Sequence, residues 1–367
     1  MIGNYMDEAL ALARKGLALA SPNPMVGCVI VRDGDVVGRG FHIWEKLKHA
    51  EIIALEEAGD RAQGATAYVT LEPCSHTGRT GPCSDALIVA GIAKVVVASG
   101  DPNPLVSGEG LRRLAAAGVE VIMDEDHEAG ATKLNEAFFH FMRTGRPLVT
   151  LKCAVTLDGK ISAPEDNSGW ITSERARAHV QQLRHATDAM ITGIGTAISD
   201  DPLLTDRSGL PRARPLVRVV LDSTLRLPLD SKLVASAAGD LLVAATSAAS
   251  PERRRALEAK GVEVKIFDGP GGRVDIRDVI ALLGERKCLS AMFEAGSKVN
   301  WAALESGVVD KVFLYYAPKI LGGLDSLPMA GGAGRLRRND AICLERTKLH
   351  EIPPDEFAVE AWIRKDS

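Results

Sequence analysis

Four residues in the first third of the chain have types and spacings suited to metal-assisted hydrolysis: His49, Glu51, Cys74 and Cys83. One imidazole and two thiolates are ligands that suit Zn²⁺, and three protein ligands leave the fourth tetrahedral position for water. Glu51 follows His49 by two residues at the predicted start of a helix, where both side chains can reach one metal-bound water. The pattern predicts a catalytic zinc site in which Glu51 carries protons.

The spacing narrows the chemistry to deamination of a nucleobase. His-x-Glu followed by Pro-Cys-x-x-Cys is the signature of zinc-dependent base deaminases, and this chain has the first part intact. In the second part, the segment from Cys74 to Cys83 spans ten residues, where the general signature has four. A structural zinc would use a fourth protein ligand, which His76 could supply, so that alternative stays open.

The elements that must position these residues alternate between short apolar strands and helices, which predicts an α/β fold with helices on both faces of a sheet. His49 precedes a predicted helix, Pro73-Cys74 ends a predicted strand, and Cys83 starts a helix, whose dipole favours a thiolate. In this half the helices are predicted at 5–19, 50–58, from 83, 110–117 and 128–143, and the strands at 26–32, 36–41, 65–71, 94–99 and 119–122.

A break at Arg143-Thr-Gly-Arg-Pro147 predicts a domain boundary, because glycine and proline end the helix and a new apolar strand follows at once. We therefore expect a deaminase domain at 1–145 and a second α/β domain at 146–367. Gly193-Ile-Gly195 follows a strand, but Ile198 occupies the position of the third small residue, which excludes a Rossmann fingerprint. The second half has predicted helices at 174–185, 252–260, 276–284 and 301–306, and strands at 148–153, 189–192, 216–221, 240–245, 262–267, 288–294 and 311–316, before a strand-rich tail.

Composition excludes several function classes. The chain is 46% hydrophobic and 25% charged, as soluble globular proteins are. Residues 1–145 carry 13 Lys and Arg against 19 Asp and Glu, and aromatic residues make up 4% of the chain, which argues against a nucleic-acid substrate. No apolar run approaches the roughly 20 residues of a membrane-spanning helix, and the N-terminus lacks a secretory signal pattern. We expect a cytoplasmic homo-oligomer, a dimer or a tetramer, that acts on small molecules and contacts neither nucleic acid nor membrane.

The sequence around the zinc residues resembles the bifunctional deaminase/reductase family of riboflavin biosynthesis. The long segment between the two cysteines is characteristic of that family, whereas nucleoside and tRNA deaminases have the short spacing. One departure is Gly81, where the family has a second proline. The resemblance is carried by residues 22–27 (PNPMVG), 40–42 (GFH), 49–51 (HAE), 73–83 and 101–104 (DPNP), and then by 152–160 (KCAVTLDGK), 168–172 (SGWIT), 196–207 and 294–296 (EAG).

The resemblance implies a cytidine-deaminase-like three-layer α/β/α domain followed by a dihydrofolate-reductase-like α/β domain. It implies that the first, with one Zn²⁺ per chain, deaminates 2,5-diamino-6-ribosylamino-4(3H)-pyrimidinone 5′-phosphate. The second would reduce 5-amino-6-(5-phosphoribosylamino)uracil to the ribitylamino form with NADPH.

Site residues are also implied by the resemblance. Gly296-Ser297 could seat the cofactor pyrophosphate ahead of a helix, or it could be an ordinary N-cap. Asn23, Asp101 and Asn103 flank prolines, so capping a turn is their alternative role. The deaminase substrate residues are Asn23, His42, His76, Asp101 and Asn103; the reductase substrate residues are Ser168, Arg184, Leu204, Arg207 and Glu294; and the NADPH residues are Ala154, Trp170, Thr196, Asp200, Ser223, Gly296 and Ser297.

Two rival functions can be weighed on the same residues. The first is a deaminase of another nucleotide whose reductase-like domain has a different use, and the long cysteine segment and the matching second half argue against it. The second is a zinc-stabilised binding or scaffold protein with inactive sites. The presence of Glu51 argues against that one.

Overall fold

The computed structural model describes residues 5–75, 81–103, 107–165 and 169–365. The chain divides into two compact units. The first contains the residues up to Gly145 together with Pro211–Arg214, and the second contains Arg146–Leu210 and the residues from Pro215 onward. In these described ranges, every helix is too short or too polar to cross a membrane.

The described residues of the first unit form a five-stranded sheet, six α-helices and two short 3-10 helices at Trp44–Lys46 and Gly59–Ala62. Its strands are β1 (Gly27–Arg32), β2 (Asp35–Phe41), β3 (Thr66–Val69), β4 (Lys94–Val97) and β5 (Glu120–Met123). Its helices are α1 (Tyr5–Arg14), α2 (Ala50–Ala58), α3 (Cys83–Val89), α4 (Glu109–Ala116), α5 (Glu125–Leu134) and α6 (Glu136–Thr144). The strand order is β2-β1-β3-β4-β5; β1 is antiparallel to both neighbours, and β3, β4 and β5 are parallel.

Successive residues of the central strands pack into two separate hydrophobic clusters, one on each face of the sheet. Ile30 of β1 packs in a cluster with residues of α2, α3 and α4, whereas Val29 and Val31 pack in a cluster with α1 and α5. This follows from the period of two in a strand, which sends successive side chains to opposite faces. The unit is therefore the three-layer α/β/α arrangement expected for a cytidine-deaminase-like domain.

Glycines on β2 bring α2 unusually close to the sheet. A Cβ added to Gly40 would lie 2.0 Å from the carbonyl oxygen of Ala50, and one added to Gly38 would lie 2.1 Å from that of Ala54. No real Cβ tolerates such distances, so both positions require glycine. The close packing fixes the start of α2, where His49 and Glu51 lie, against the sheet.

Three predicted bounds in this unit are wrong. The first helix ends at Arg14 instead of Leu19, and Ala18 has a φ of 58°, which a right-handed helix cannot include. The single helix predicted at 128–143 is two helices, because the side chain of Asn135 accepts from the Met25 N–H (2.8 Å) and donates to the Met25 carbonyl (2.9 Å). Strand β3 ends at Val69, so Pro73-Cys74 lies in an irregular segment beyond it.

The second unit contains a nine-stranded sheet and a separate two-stranded sheet. Its strands are β6 (Leu148–Thr156), β7 (Lys160–Ser162), β8 (Ala189–Gly193), β9 (Val217–Leu221), β10 (Leu241–Ala245), β11 (Glu263–Ile266), β12 (Ser290–Phe293), β13 (Lys311–Ala317), β14 (Leu327–Pro328), β15 (Leu344–Ile352) and β16 (Glu356–Ile363). Its helices are α7 (Glu174–His185), α8 (Ile194–Asp200), α9 (Lys232–Ala235), α10 (Pro251–Glu258), α11 (Ile276–Glu285) and α12 (Ser297–Glu305).

The large sheet is mixed, with the order β11-β10-β9-β8-β12-β6-β13-β16-β15. The strands from β11 to β13 are parallel, and β16 runs antiparallel to β13 and β15. All residues of β8 and β10 are buried, as expected for central strands of a parallel sheet. The carboxyl ends of the parallel strands lie at one edge, where α/β proteins bind ligands. Strands β7 and β14 form a separate two-stranded sheet.

Candidate metal centre and reductase site

The candidate zinc residues lie at the beginnings of two helices and beyond one strand. His49 is the N-cap of α2, and Glu51 is the second residue of that helix. Cys83 is the first residue of α3, after Pro82 at the N-cap. Cys74 lies beyond β3, and its carbonyl accepts both the N–H and the hydroxyl of Ser84, each at 3.1 Å. These bonds tie the Cys74 segment directly to α3.

His49, Cys74 and Cys83 form one cluster, with all three ligand atoms within 4.8 Å of one another. The Nδ1 atom of His49 lies 3.1 Å from the Cys83 sulfur and 3.4 Å from the Cys74 sulfur. In a tetrahedral zinc site with metal distances of about 2.0 to 2.3 Å, ligand atoms lie about 3.5 Å apart. The donor set and its spacing therefore fit Zn²⁺. Within the described ranges no fourth His, Cys, Asp or Glu joins the cluster, and His76 lies outside them.

The two cysteines of the cluster are hydrogen-bonded to each other and differ in acidity. A hydrogen bond from Cys83 lowers the pKa of Cys74 to about 4, and the same contact, together with burial, raises the pKa of Cys83. The Cys83 N–H also donates to the Cys74 sulfur at 3.3 Å. A hydrogen bond with Cys74 raises the pKa of His49, so the imidazole and the thiolate stabilise each other.

Glu51 is 3% exposed and lies beside the three ligands. Burial raises the pKa of Glu51 to about 7, and the charge of Cys74 adds to the effect. A carboxyl group with a pKa near neutrality can both accept and release a proton. This is the electrostatic setting that proton transfer requires.

Two of the predicted substrate residues lie together next to the cluster. The Nδ2 atom of Asn23 is 3.1 Å from Nε2 of His42, and Nδ1 of His42 is 2.9 Å from the Lys48 carbonyl oxygen. The His42 ring contacts the His49 ring edge-on, with centroids 5.2 Å apart. Burial lowers the pKa of His42, which favours the neutral imidazole.

The other two described positions form a turn. The Asn103 N–H donates to Oδ1 of Asp101 at 2.8 Å, which is the turn-capping role considered for these residues. The Asp101 N–H in turn donates to Glu72 at 3.3 Å. Glu72 lies two residues before Cys74 and is buried. It was not predicted as a site residue, although a glutamate directly after the strand predicted at 65–71 is a signal that the sequence offers.

In the second unit, two predicted substrate residues bind each other. Glu294, which follows β12, accepts from Arg184 of α7 through two bonds, Nε to Oε2 at 2.9 Å and Nη2 to Oε1 at 2.7 Å. Lys152 of β6 donates to Oε1 at 3.0 Å. Burial alone would raise the pKa of Glu294, but the charges of Lys152 and Arg184 lower it to about 2.

Lys152 was not predicted as a site residue, although it begins one of the matching motifs. It is 9% exposed, and lysine is almost never buried without a partner. A lysine in the apolar run that forms β6 is therefore a signal of a buried acidic partner. Ser168 lies outside the described residues, Leu204 is buried with a φ of 51°, and Arg207 is exposed, with its N–H donating to Gln181 at 3.1 Å.

The start of α12 is the part of the predicted cofactor site best suited to an anion. The helix starts at Ser297 and not at Trp301 as predicted, and its N-cap Gly296 has no side-chain cap. The first N–H groups of such a helix can bind a pyrophosphate. A Cβ added to Gly296 would lie 3.4 Å from Oγ1 of Thr196, so these two predicted residues are neighbours. The hydroxyl of Ser297 donates to the Pro328 carbonyl at 2.5 Å.

The remaining predicted cofactor residues lie around the same sheet. Ala154 is part of β6, Asp200 is the last residue of α8, and Ser223 follows β9. Trp170 is 68% exposed, and the Arg177 guanidinium lies over its ring at 4.8 Å from the centroid. An exposed indole is available for stacking on a planar ligand.

Comparison with known proteins gives matches to both halves. Residues 2–99 match the cytidine and deoxycytidylate deaminase zinc-binding region, and residues 147–355 match the RibD C-terminal domain. The riboflavin biosynthesis protein RibD of Actinobacillus pleuropneumoniae is 45% identical, over 96% of this chain and 93% of that protein. Acinetobacter baumannii RibD, form 1, has a TM-score of 0.86 and 38% identity, and the match covers 98% of each chain.

A second solved structure also matches over nearly the whole chain. It is a diaminohydroxyphosphoribosylaminopyrimidine deaminase/5-amino-6-(5-phosphoribosylamino)uracil reductase from Thermotoga maritima. Its TM-score is 0.82, its sequence is 34% identical, and the match covers 98% of each chain. The similarity therefore spans both units.

Proposed function

The chain belongs to the RibD family of riboflavin biosynthesis proteins, and on that premise we propose that its two units catalyse consecutive steps on one pyrimidine nucleotide. The family assignment makes it a bifunctional enzyme, with a zinc-binding deaminase domain and a reductase domain. The first unit replaces the 2-amino group of 2,5-diamino-6-ribosylamino-4(3H)-pyrimidinone 5′-phosphate by oxygen, with water consumed and ammonia released. The second reduces the ribosyl group of the resulting 5-amino-6-(5-phosphoribosylamino)uracil to ribityl.

One observation supports the deaminase step above the others: His49, Cys74 and Cys83 converge within 4.8 Å, with Glu51 buried beside them. We propose that these three side chains hold one Zn²⁺. When bound, the ion would supply Lewis acidity and make water a better nucleophile. Glu51, buried beside the three side chains, would accept a proton from the attacking water and deliver it to the leaving amino group.

Asn23, His42 and the turn at Asp101 are the proposed substrate contacts. His42 is held by Asn23 and by the Lys48 carbonyl, so its ring has one orientation beside the metal ligands. The carboxylate of Asp101 is directed by its bond with the Asn103 N–H. Amide and carboxylate groups at fixed positions can read the edge of a pyrimidine ring by paired hydrogen bonds.

For the reductase step we propose that Arg184, Glu294 and Lys152 bind the open-chain ribose and phosphate. The three side chains carry a net positive charge in a buried setting, which suits a phosphorylated sugar. NADPH, when bound, supplies the hydride that reaches C1′ of the sugar. The N–H groups at the start of α12, with Thr196 and Ser223, are the proposed cofactor contacts.

The proposal is tested by incubating the purified full chain with the diaminopyrimidine nucleotide, first alone and then with NADPH. We expect release of one ammonia per nucleotide in the first reaction. In the second we expect a loss of NADPH absorbance that equals the amount of deaminated product. An unchanged nucleotide in the first reaction would contradict the deaminase assignment. Deamination with no NADPH oxidation would contradict the reductase assignment.

A further inference from the structure

Glu72 is a buried carboxylate that the proposed chemistry does not use. It is 4% exposed and lies two residues before Cys74. Its side-chain partners among the described residues are backbone N–H groups: those of Asp101 at 3.3 Å and Gly108 at 3.0 Å bind Oε2, and that of Gly110 at 3.0 Å binds Oε1. A buried carboxylate requires such compensation, because an unpaired charge is strongly disfavoured in the interior.

The three donors belong to two structural features. Gly108 is the N-cap of α4 and Gly110 is the second residue of that helix, and no side chain of α4 caps its own N-terminus. The Glu72 carboxylate therefore caps α4 from a distant part of the chain, and its charge interacts favourably with the positive end of the helix dipole. The third donor, Asp101, begins the turn that contains Asn103.

Backbone packing reinforces the same connection. A Cβ added to Gly110 would lie 2.0 Å from the Pro73 carbonyl oxygen, so the start of α4 packs directly on the residue before Cys74. The Glu72 N–H also donates to the Ser99 carbonyl at 2.9 Å. This bond joins the segment that follows β3 to the segment that follows β4. One side chain thus links the Cys74 segment, the Asp101 turn and the start of α4.

We infer that Glu72 is a positioning residue of the deaminase site: it holds the turn of Asp101 and Asn103 at a fixed place relative to the metal ligand Cys74. This inference rests on the proposed function, in which that turn binds the pyrimidine and Cys74 binds the metal. Both carboxylate oxygens of Glu72 are taken up by backbone N–H groups. Glu72 acts through the orientation of the Asp101 turn.

The first test is the Glu72→Gln variant. Glutamine has the size of glutamate, but only one of its terminal atoms accepts hydrogen bonds, so its amide group would face backbone donors. We expect KM for the diaminopyrimidine nucleotide to rise about tenfold or more, since hydrogen bonds to a charged group are lost. Turnover number and zinc content should change little. Glu57→Gln is the matched control, because exposed Glu57 also accepts a backbone N–H, that of Arg39 at 2.9 Å.

The second test is amide hydrogen exchange, which needs no substrate. In the unaltered protein the amides of Asp101, Gly108 and Gly110 should exchange slowly, and in Glu72→Gln they should exchange about ten times faster or more. The amides of β1 should be unaffected. If Glu72→Gln does not fold, Glu72→Asp replaces it, because the shorter side chain keeps the charge but withdraws the carboxylate from the three N–H groups. That variant should show the same rise in KM.

Three results would overturn the inference. The first is rapid exchange of these three amides in the unaltered protein. The second is an unchanged KM in Glu72→Gln. The third is loss of zinc from Glu72→Gln, which would place its effect on the metal ligands instead of on the turn. If the unaltered chain does not deaminate the nucleotide, the proposed function fails instead, and the exchange measurement still decides whether Glu72 holds the turn.

Discussion

Arg184 and Glu294, which are 110 positions apart in the sequence, form a two-bond ion pair with N to O distances of 2.9 and 2.7 Å. Lys152 adds a third bond at 3.0 Å. Removing one partner of a buried ion pair leaves the other charge uncompensated. The stability of the second unit should therefore depend on this one carboxylate.

Glu294→Gln should lower the free energy of unfolding of the second unit by about 1.5 to 3 kcal/mol, because hydrogen bonds between charged groups in a partly buried pair are lost. It should also abolish NADPH oxidation with the deaminated nucleotide. Urea unfolding is measured by tryptophan fluorescence, since Trp170, Trp301 and Trp362 all lie in this unit. Glu258→Gln is the control, because Glu258 pairs with Arg254 at the surface and its loss should change stability by less than about 0.5 kcal/mol. Equal effects of the two substitutions would contradict the prediction.

The same pair predicts a pH dependence. The pKa of Glu294 is about 2 in the folded protein, below its ordinary value, so its contribution to stability is complete above about pH 4.5. That contribution is lost as the pH falls from there towards 2, because the unfolded chain takes up the proton first. Thermal unfolding between pH 6 and 3 should show the unaltered protein losing stability faster than Glu294→Gln. Parallel curves would mean that Glu294 is not the group responsible.

Glu51→Gln should retain zinc and lose deamination by a factor of about 10² to 10⁴, the usual contribution of a general acid or base. Reduction of the deaminated nucleotide should continue at its normal rate, because that reaction belongs to the other unit. Zinc is measured by atomic absorption and ammonia by a coupled assay. Loss of the metal from this variant would show that Glu51 is a ligand and not a proton carrier.

Cys83→Ser should lose zinc and deaminase activity together, because a hydroxyl is a far weaker zinc ligand than a thiolate. Cys343→Ser is the control, since that exposed thiol lies in the second unit and should leave the zinc content unchanged. A chelator should reproduce the effect of Cys83→Ser on the unaltered chain. Full activity after complete removal of the metal would contradict a catalytic zinc.

Gly40→Ala should destabilise the first unit by about 1 to 3 kcal/mol or more, because the added Cβ would lie 2.0 Å from the Ala50 carbonyl. Since Ala50 precedes Glu51, deaminase activity should fall as well. Gly130→Ala is the matched control, because a Cβ at that position in α5 would lie 3.6 Å from Cδ1 of Leu10, an ordinary contact distance. Thermal unfolding and ammonia release are measured for both, and equal stability of the two variants would contradict the packing argument.

The sequence was sufficient where the local pattern carries the information. It predicted helix α2 at Ala50–Ala58 and helix α7 at Glu174–His185 with the bounds that the structure has. For α7 the local signal is the capping residue Ser173, whose side chain accepts from the Ala176 N–H, together with periodic apolar residues. It also predicted His49, Cys74 and Cys83 as candidate metal ligands from residue type and spacing. The structure brings those three side chains together, which is what a zinc site requires.

Only the tertiary structure decided the features that depend on partners distant in the chain. At Asn135, where α5 ends and α6 begins, the side chain binds the backbone of Met25, 110 positions earlier. Glu294 binds Arg184, and Glu72 binds the start of α4, through contacts that no local pattern encodes. The physical reason is that a buried polar group must find a partner, and the fold alone determines which groups lie within reach.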